Sequence, residues 1–520
     1  MMDILLNILR SVLLAVILSA GLDGQELYKI RTGNPYDPGE GQIIAFGRSN
    51  AEGHYYLQGD SDKKLNLGED HQPAVLVFDE QLNFSNRILL KYDSEQELTG
   101  LRAISFFKTD SGFIVFCTRY SSVEGNLKAF LILADHDGKI EKVVDSGEIE
   151  DVSESDAAYS YFKMHVIESA EGIPSQYIIT VTTPSFRDLP ERINFIVYNE
   201  DLDVTGNHLL DYPDDYIEYD IAEIICSLTG LFFIRVEIYD PFKAGQLLHQ
   251  LVIYDMQNDD FNTLNLKIPE VVVKKSELFK VNRDIIGLSG YYVEGAYQEK
   301  PAGIFYYLFE ASTGALLKQN IHPFSSGEKA LMNPKNLDSK SGYQNLMPAG
   351  LHLTRHNHVL VLFEYNWKSI SLIRDQEGNL YDLPFYYANE IFLFRFDAFN
   401  QMMNSTLFAK KQMSGVSSNK LGFKSFLSAQ YLCLFYNDHP KNEKEYRPDK
   451  LKTMNRKYVA MLGKYNLENG EFLKTVIEKD DHEFRFNPSG VKTVDRGRFL
   501  FMDQSDSPRL VEVITDITGR

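Results

Sequence analysis

Acids and aromatics crowd one short stretch of this chain. DYPDDYIEYD, from Asp211 to Asp220, sets five acids among three tyrosines. Carboxylates beside aromatic rings can hold a sugar or a cation, and Glu218 and Asp220 flank Tyr219 with the same strand parity, so their side chains point the same way. The plainer reading is a solvated acidic loop in an acidic protein. HLTRHNH places His352, His356 and His358 at one parity. Zinc needs three or four convergent ligands, and a turn at His356-Asn357 carries His358 onto the next strand, so no metal site is assigned. Asp135, His136, Asp137 and Gly138 open like a calcium loop, but the spacing fails and a tight turn wants the same residues.

HPKNEKEYRPDKLKTMNRK, from His439 to Lys457, carries seven Lys/Arg against three acids. It either docks an anionic partner or folds back on the protein's own acidic rim. No GxSxG elbow, HExxH, P-loop or GxGxxG occurs, which removes the motif-bearing hydrolase, metalloprotease and nucleotide-binding classes and implies no cofactor. A glycosidase needs only two acids about 5 to 9 Å apart and leaves no short motif. Glu218, Asp220 and His352 therefore stand as candidate catalytic residues.

The 520 residues hold 53 Lys+Arg against 73 Asp+Glu, a formal net charge of −20. A field of that sign repels polyanions and argues against nucleic acid as a partner. With 44% hydrophobic and 24% charged residues the chain can bury a large core. MMDILLNILRSVLLAVILSA, with Arg10 ahead of the apolar run Val12–Leu18, reads as a signal peptide over residues 1–21, the alternative being an uncleaved anchor. Elsewhere no stretch reaches the ~20 apolar residues of a membrane span. The expected location is secreted or periplasmic. Cys117, Cys226 and Cys433 each sit in an apolar run, the setting of small buried hydrophobes and not of a disulfide framework.

Any site must be positioned by a repeated unit. Apolar runs starting at Ala74, Ala129, Asn194, Gln250, Ile304, Ile391 and Ala460 each end in a polar residue: Asp79, Asp135, Asn199, Asp255, Glu310, Asp397 and Asn466. Each then crosses a short Asn/Asp/Gly-rich turn into a second run, which is a β-hairpin signature. Two further strand-like runs precede each hairpin. Four antiparallel strands repeated radially make a β-propeller blade, so the chain is read as all-β, one propeller domain over 22–520. GVKTVDR, RFLFMDQS and RLVEVITD supply three more runs without a fourth. Glu26–Arg31 is expected to provide it and close the ring, giving eight blades; seven with a decorated terminus is the alternative.

Trp367 is the only tryptophan, so the Trp-bearing motifs of WD40, kelch and quinoprotein blades cannot be built. The run IFLFRFDAFN, the Lys-rich FAKKQ and the strand YLCLFYND resemble an uncharacterised group of secreted bacterial propeller-like proteins. That resemblance, clearest from about residue 350 to 511, implies a fold and an export route and no activity. Alternate connections of a four-stranded blade emerge on one face, and here the long ones alternate with short ones. The longest, His322–Met347, Trp367–Ala388 and Asp438–Lys457, place a working rim beside the sixth and seventh units. Trp367, Tyr381, Tyr386, Tyr387 and Tyr219 are its candidate ligand-binding residues. The leading functional reading is a binding and interaction propeller for a protein, peptide or glycan. A carbohydrate-active hydrolase or lyase and a structural cell-envelope module are the alternatives.

Overall fold

The computed structural model describes residues 28–36, 42–46, 53–59, 64–67, 73–92, 98–152, 161–168, 174–183, 192–211, 218–239, 247–266, 268–295, 300–332, 345–374, 380–415, 418–455, 457–479, 482–495, 497–504 and 508–515. The expected signal segment at 1–21 lies outside them.

Eight antiparallel sheets follow one another along the chain, each built on four strands in sequence order. Blade 1 comprises Gln42–Phe46, His54–Gly59, Ala74–Phe78 and Phe84–Leu89; blade 2 comprises Leu98–Lys108, Gly112–Ser121, Asn126–Asp135 and Ile140–Ile149. Blades 3, 4 and 5 span Phe162–Asp211, Glu218–Asn265 and Val272–Pro323. Blade 6 contains Leu346–Leu353, Val359–Arg374, Leu380–Phe396 and Met402–Phe408; blade 7 contains Phe423–Leu427, Tyr431–Asp438, Val459–Asn466 and Phe472–Val476. Blade 8 has Lys492–Asp495, Arg498–Met502 and Leu510–Ile514, and its fourth strand is Lys29–Thr32 from the other end of the chain. The closure expected of Glu26–Arg31 is found at Lys29–Thr32, with Glu26 and Leu27 outside the described residues, and the count of eight is found.

Burial explains why strand alternation is muted in the sequence. Both faces of most strands are covered, because each sheet packs between two others, so both parities must be apolar. In blade 2, Phe113, Val115 and Cys117 face blade 1, while Ile114 and Phe116 face blade 3. Such clusters join each successive pair of blades around to 7 and 8. The last one sets Tyr56, Leu76 and Phe78 of blade 1 against Leu500 and Leu510 of blade 8. All three cysteines are buried in these layers.

The seam is held by specific bonds as well as by packing. Lys29 pairs with Ile514 and Thr32 with Val511. Tyr28 Oη donates to the Val476 carbonyl at 2.7 Å, tying the closing strand to blade 7. Arg31 bridges blade 8 to blade 1, reaching Glu512 and the Glu80 carbonyl, each at 2.8 Å.

The polar residue repeated in every unit caps a turn. Asp135 Oδ1 accepts from the amides of Asp137 and Lys139, Asn199 Oδ1 from Asp201 and Asp203, and Asp397 Oδ1 from Phe399 and Gln401. Three positions on, Gly138, Leu202 and Asn400 have φ of 82°, 57° and 67°, the left-handed residue that returns the chain into the outer strand. Asp135 and Asp137 are thus turn formers.

The first strands of blades 1 and 2, and of each successive pair from blade 3 to blade 7, touch one another, which puts them innermost. Lys64–Leu67, carried in a connection of blade 1, adds to the inner edge of blade 2 on the axis side. Since the strands alternate in direction, second-to-third and fourth-to-first connections share one face of the disc, and these are the long ones.

Candidate functional site

Two of the three expected long loops contain regular structure among their described residues. Trp367–Ala388 is no loop: the second and third strands of blade 6 run on as a two-stranded ribbon, in register from Trp367↔Tyr387 to Arg374↔Leu380. A register shift between Glu364 and Asn366 marks where the ribbon leaves the blade. Gln412–Ser414 pairs along its root at Tyr386–Ala388. The connection after Pro323 forms a short helix, Ser326–Leu331, with a capping box between Ser325 and Glu328. It abuts the ribbon root, where Tyr365 Oη donates to the Met332 carbonyl at 2.9 Å.

The basic stretch after Asp438 folds back on its own chain. Asn442 is buried and bonds Asp438 Oδ1 and the Lys452 carbonyl, both at 2.8 Å. Buried Met454 exchanges backbone bonds with Lys411 and Met413, and Glu443 accepts from the Val476 amide. Backbone and amide bonds, not an acidic rim, hold this segment.

The ribbon has two unlike faces. Trp367 stacks on Tyr387 at 4.7 Å with planes 5° apart, and Trp367 also packs against the blade 5–6 core. That pair covers one ring face of each partner and buttresses the ribbon. On the opposite face lie Lys368, Ile370, Leu372 and Arg374 with their partners Tyr386, Pro384, Asp382 and Leu380. Ile370, Leu372 and Leu380 are 61%, 70% and 59% exposed. Lys368 Nζ sits 5.5 Å from the Tyr386 ring centre, and Tyr381, near the tip, is exposed. Trp367, Tyr381, Tyr386 and Tyr387 therefore share one element. Tyr219 does not join them: it is buried in the layer between blades 3 and 4, a core residue by its packing.

A buried charged hub anchors the root. Lys410 Nζ donates to Glu364 Oε1 at 2.5 Å, to Gln412 Oε1 at 2.8 Å and to the Ala388 carbonyl at 3.1 Å. Gln412 Nε2 continues to the Asn437 carbonyl at 2.6 Å, and Asn437 Nδ2 to the Phe486 carbonyl at 2.7 Å. Burial pushes Glu364 and Glu390 up and Lys410 down, each opposed by the other's charge. Asp438 rises to about 6, again chiefly by burial. Protein groups occupy the bonding positions around the ammonium, so the hub fixes structure.

The axial candidates are dispersed. Glu218 starts the inner strand of blade 4, opposite Tyr239, with its side chain outside the described residues; half-buried Asp220 follows, opposite Glu237. His352 is on blade 6, its Nε2 2.8 Å from Ser425 Oγ of blade 7. Burial and then Lys424 lower it to about 4, so it is neutral at pH 7. His358 turns instead to Arg395, at 3.0 Å, so these two ring nitrogens engage different partners.

The structure assembles a different axial group. Glu223 Oε2 accepts from the Leu278 amide at 2.8 Å across the blade 4–5 boundary, with Arg235 Nε 3.7 Å away. Burial raises Glu223 and, with Glu223's charge adding to it, raises Glu277 to about 7. Both acids move the same way, whereas an acid and base sharing work are driven apart. A lone charge inside an apolar strand was the signal available for this group and the hub, as in VLVLFEY at Glu364 and SELF at Glu277.

No family model matches the chain. No curated protein matches it either. Among solved structures, the WD40 domain of SCAP from fission yeast aligns over 94% of this chain and 99% of its own, with 10% identity and a TM-score of 0.39. The β-propeller domain of the Trilobed protease from Pyrococcus furiosus aligns over 83% and 94% at 9% identity and 0.35. The polysaccharide lyase Uly1 aligns over 83% and 92% at 8% identity and 0.37. At these identities no ligand, partner or reaction carries over to this chain.

Proposed function

We propose that this chain is an exported binding and interaction propeller that docks a protein partner on the outward face of the blade 6 ribbon. Export rests on the segment at residues 1–21. One observation carries the docking role: Ile370, Leu372 and Leu380 stand together and exposed on a ribbon whose root is locked by buried bonds. Exposed apolar groups on a rigid projection are what an interface anchor requires, since little ordering entropy is lost on binding. Lys368 and Arg374 share that face, so the complementary partner surface is apolar with an acidic margin. Glycan stacking fits less well, because Trp367 and Tyr387 are stacked on each other.

A photo-crosslinking residue at position 370 or 372, compared with one at the exposed Leu209 of blade 3, tests the reading. The expected result is one discrete protein, identified by mass spectrometry, joined at 370 and 372 and not at 209. Equal capture at all three positions, or capture of a second copy of this chain alone, overturns it.

A further inference from the structure

The histidine-rich turn HLTRHNH takes no part in the ribbon. It joins the first two strands of blade 6, and so lies on the face of the disc opposite the long connections. Thr354 Oγ1 accepts from the amides of His356 and His358, and Asn357 takes a φ of 60°, which fixes the turn. Beside it stands the turn of Asp397. Lys318 of blade 5 ties the two together, its Nζ donating to the Asn357 carbonyl at 3.0 Å and to the Asp397 carbonyl at 3.1 Å. A held frame therefore presents the side chains of this corner.

Those side chains are donors. Arg395 Nη2 donates to His358 Nδ1 at 3.0 Å, Arg355 Nε donates to His356 Nε2 at 3.1 Å, and the two imidazole rings lie 6.1 Å apart. Register explains the first contact: Arg395 pairs with Leu360, and His358 shares the parity of Leu360. A guanidinium only donates, so each imidazole nitrogen it meets accepts and the other ring nitrogen carries the hydrogen. His358 Nε2, His356 Nδ1 and the Arg355 terminal amines are thus N–H groups that bond no acceptor among the described residues. Arg395 is only 7% exposed and its Nε has no hydrogen-bond partner. Among the described residues no carboxylate forms an ion pair with Arg355 or Arg395, although buried charges are ordinarily paired. The carboxylate acting on His358 is Asp397, whose Oδ1 already holds two amides. Positive charge is left unmatched here in a protein of net charge −20.

We propose that this corner of blade 6 binds a tetrahedral oxyanion, a phosphoryl or sulfuryl group, through Arg355, His356 and His358, with the buried Arg395 behind them. Such a group offers several acceptor oxygens to neighbouring N–H donors, and its bonds to guanidinium are the charge-assisted ones. The site is independent of the ribbon, which leaves the other face of the disc.

Isothermal titration of the full chain with inorganic phosphate, sulfate and glycerol phosphate, with chloride holding the ionic strength constant, tests it. Saturable binding of at least one is expected. Glycerol phosphate binding as well as inorganic phosphate marks the group as the end of a larger molecule, and binding of the inorganic anions alone marks a free ion. Arg355→Gln, at an exposed position, is expected to weaken binding about tenfold or more, the scale of one charge-assisted contact, as is His358→Gln. Arg87→Gln, on the exposed surface of blade 1, is expected to leave it unchanged. Near-UV circular dichroism confirms that each variant is folded, and if His358→Gln is not, Arg355→Gln decides. No saturable binding of any of the three anions, or wild-type affinity in the folded Arg355→Gln chain, overturns the proposal.

Discussion

Lys410 Nζ lies 2.5 Å from Glu364 Oε1, and the two side chains are only 1% and 7% exposed. Glu364 ends the regular ladder of blade 6 where the ribbon departs, and Lys410 stands on the connection to blade 7. One buried ion pair therefore sets how a projecting element meets the ring.

Removing one partner leaves the other charge buried and unpaired. Lys410→Met is expected to cost about 3–5 kcal/mol, measured by denaturant unfolding, whereas Glu364→Leu with Lys410→Met recovers much of the loss. Equal destabilisation in the single and double variants contradicts this account.

Asp438 gives a pH dependence with a definite sign. Its pKa in the folded protein is about 6 against an ordinary 3.8, so between those values the folded state holds the extra proton and stability falls as pH rises. Asp438→Asn removes that loss. Its unfolding free energy relative to wild type, measured by denaturant titration, is expected to climb from pH 4 to pH 7 by an amount of order 3 kcal/mol from about two pKa units. A constant difference across that range contradicts it. The lowered histidines His165, at about 3, and His249, at about 4, act oppositely in both proteins and cancel in the comparison.

The closing strand is expected to matter out of proportion to its length. Ile30 pairs with Val513 and packs into the blade 7–8 layer. Ile30→Asp sets a carboxylate there, at roughly 1–3 kcal/mol, and Tyr28→Phe deletes the bond to Val476 for about 1 kcal/mol. Thermal unfolding that is unchanged in Ile30→Asp counts against closure as a source of stability.

Asp397 tests the repeated turn. Its Oδ1 holds two amides in place, at 2.8 and 2.9 Å. Asp397→Ala is expected to lower stability by about 1 kcal/mol, with hydrogen exchange rising at Phe399 and Gln401 and unchanged at the unrelated turn of Asp135.

The architecture was legible because turns and strands are local. Asp79, Asp135, Asn199 and Asp397 recur since each unit needs the same cap, and a fourth strand was missing after Leu510–Ile514 whose only unpartnered donor was the segment beginning at Glu26. The aromatic rim was legible in part: Trp367, Tyr381, Tyr386 and Tyr387 do share an element, but the ribbon was read as a loop because its polar serines interrupt the apolar pattern. Tyr219 was misplaced since an acidic flank outside the blade masked a residue whose own side chain faces the core. Glu364 with Lys410, and Glu223 with Glu277, were not legible as pairs, because the members of each are distant in sequence and only the fold brings them together.

The measurement that bears most directly on function is the affinity of the purified chain for the crosslinked partner, wild type against Ile370→Asp/Leu372→Asp. Two charged side chains on the exposed apolar face of the ribbon are expected to weaken binding at least about tenfold while leaving thermal unfolding unchanged. Equal affinity in the two proteins would show that this face is not where the partner docks.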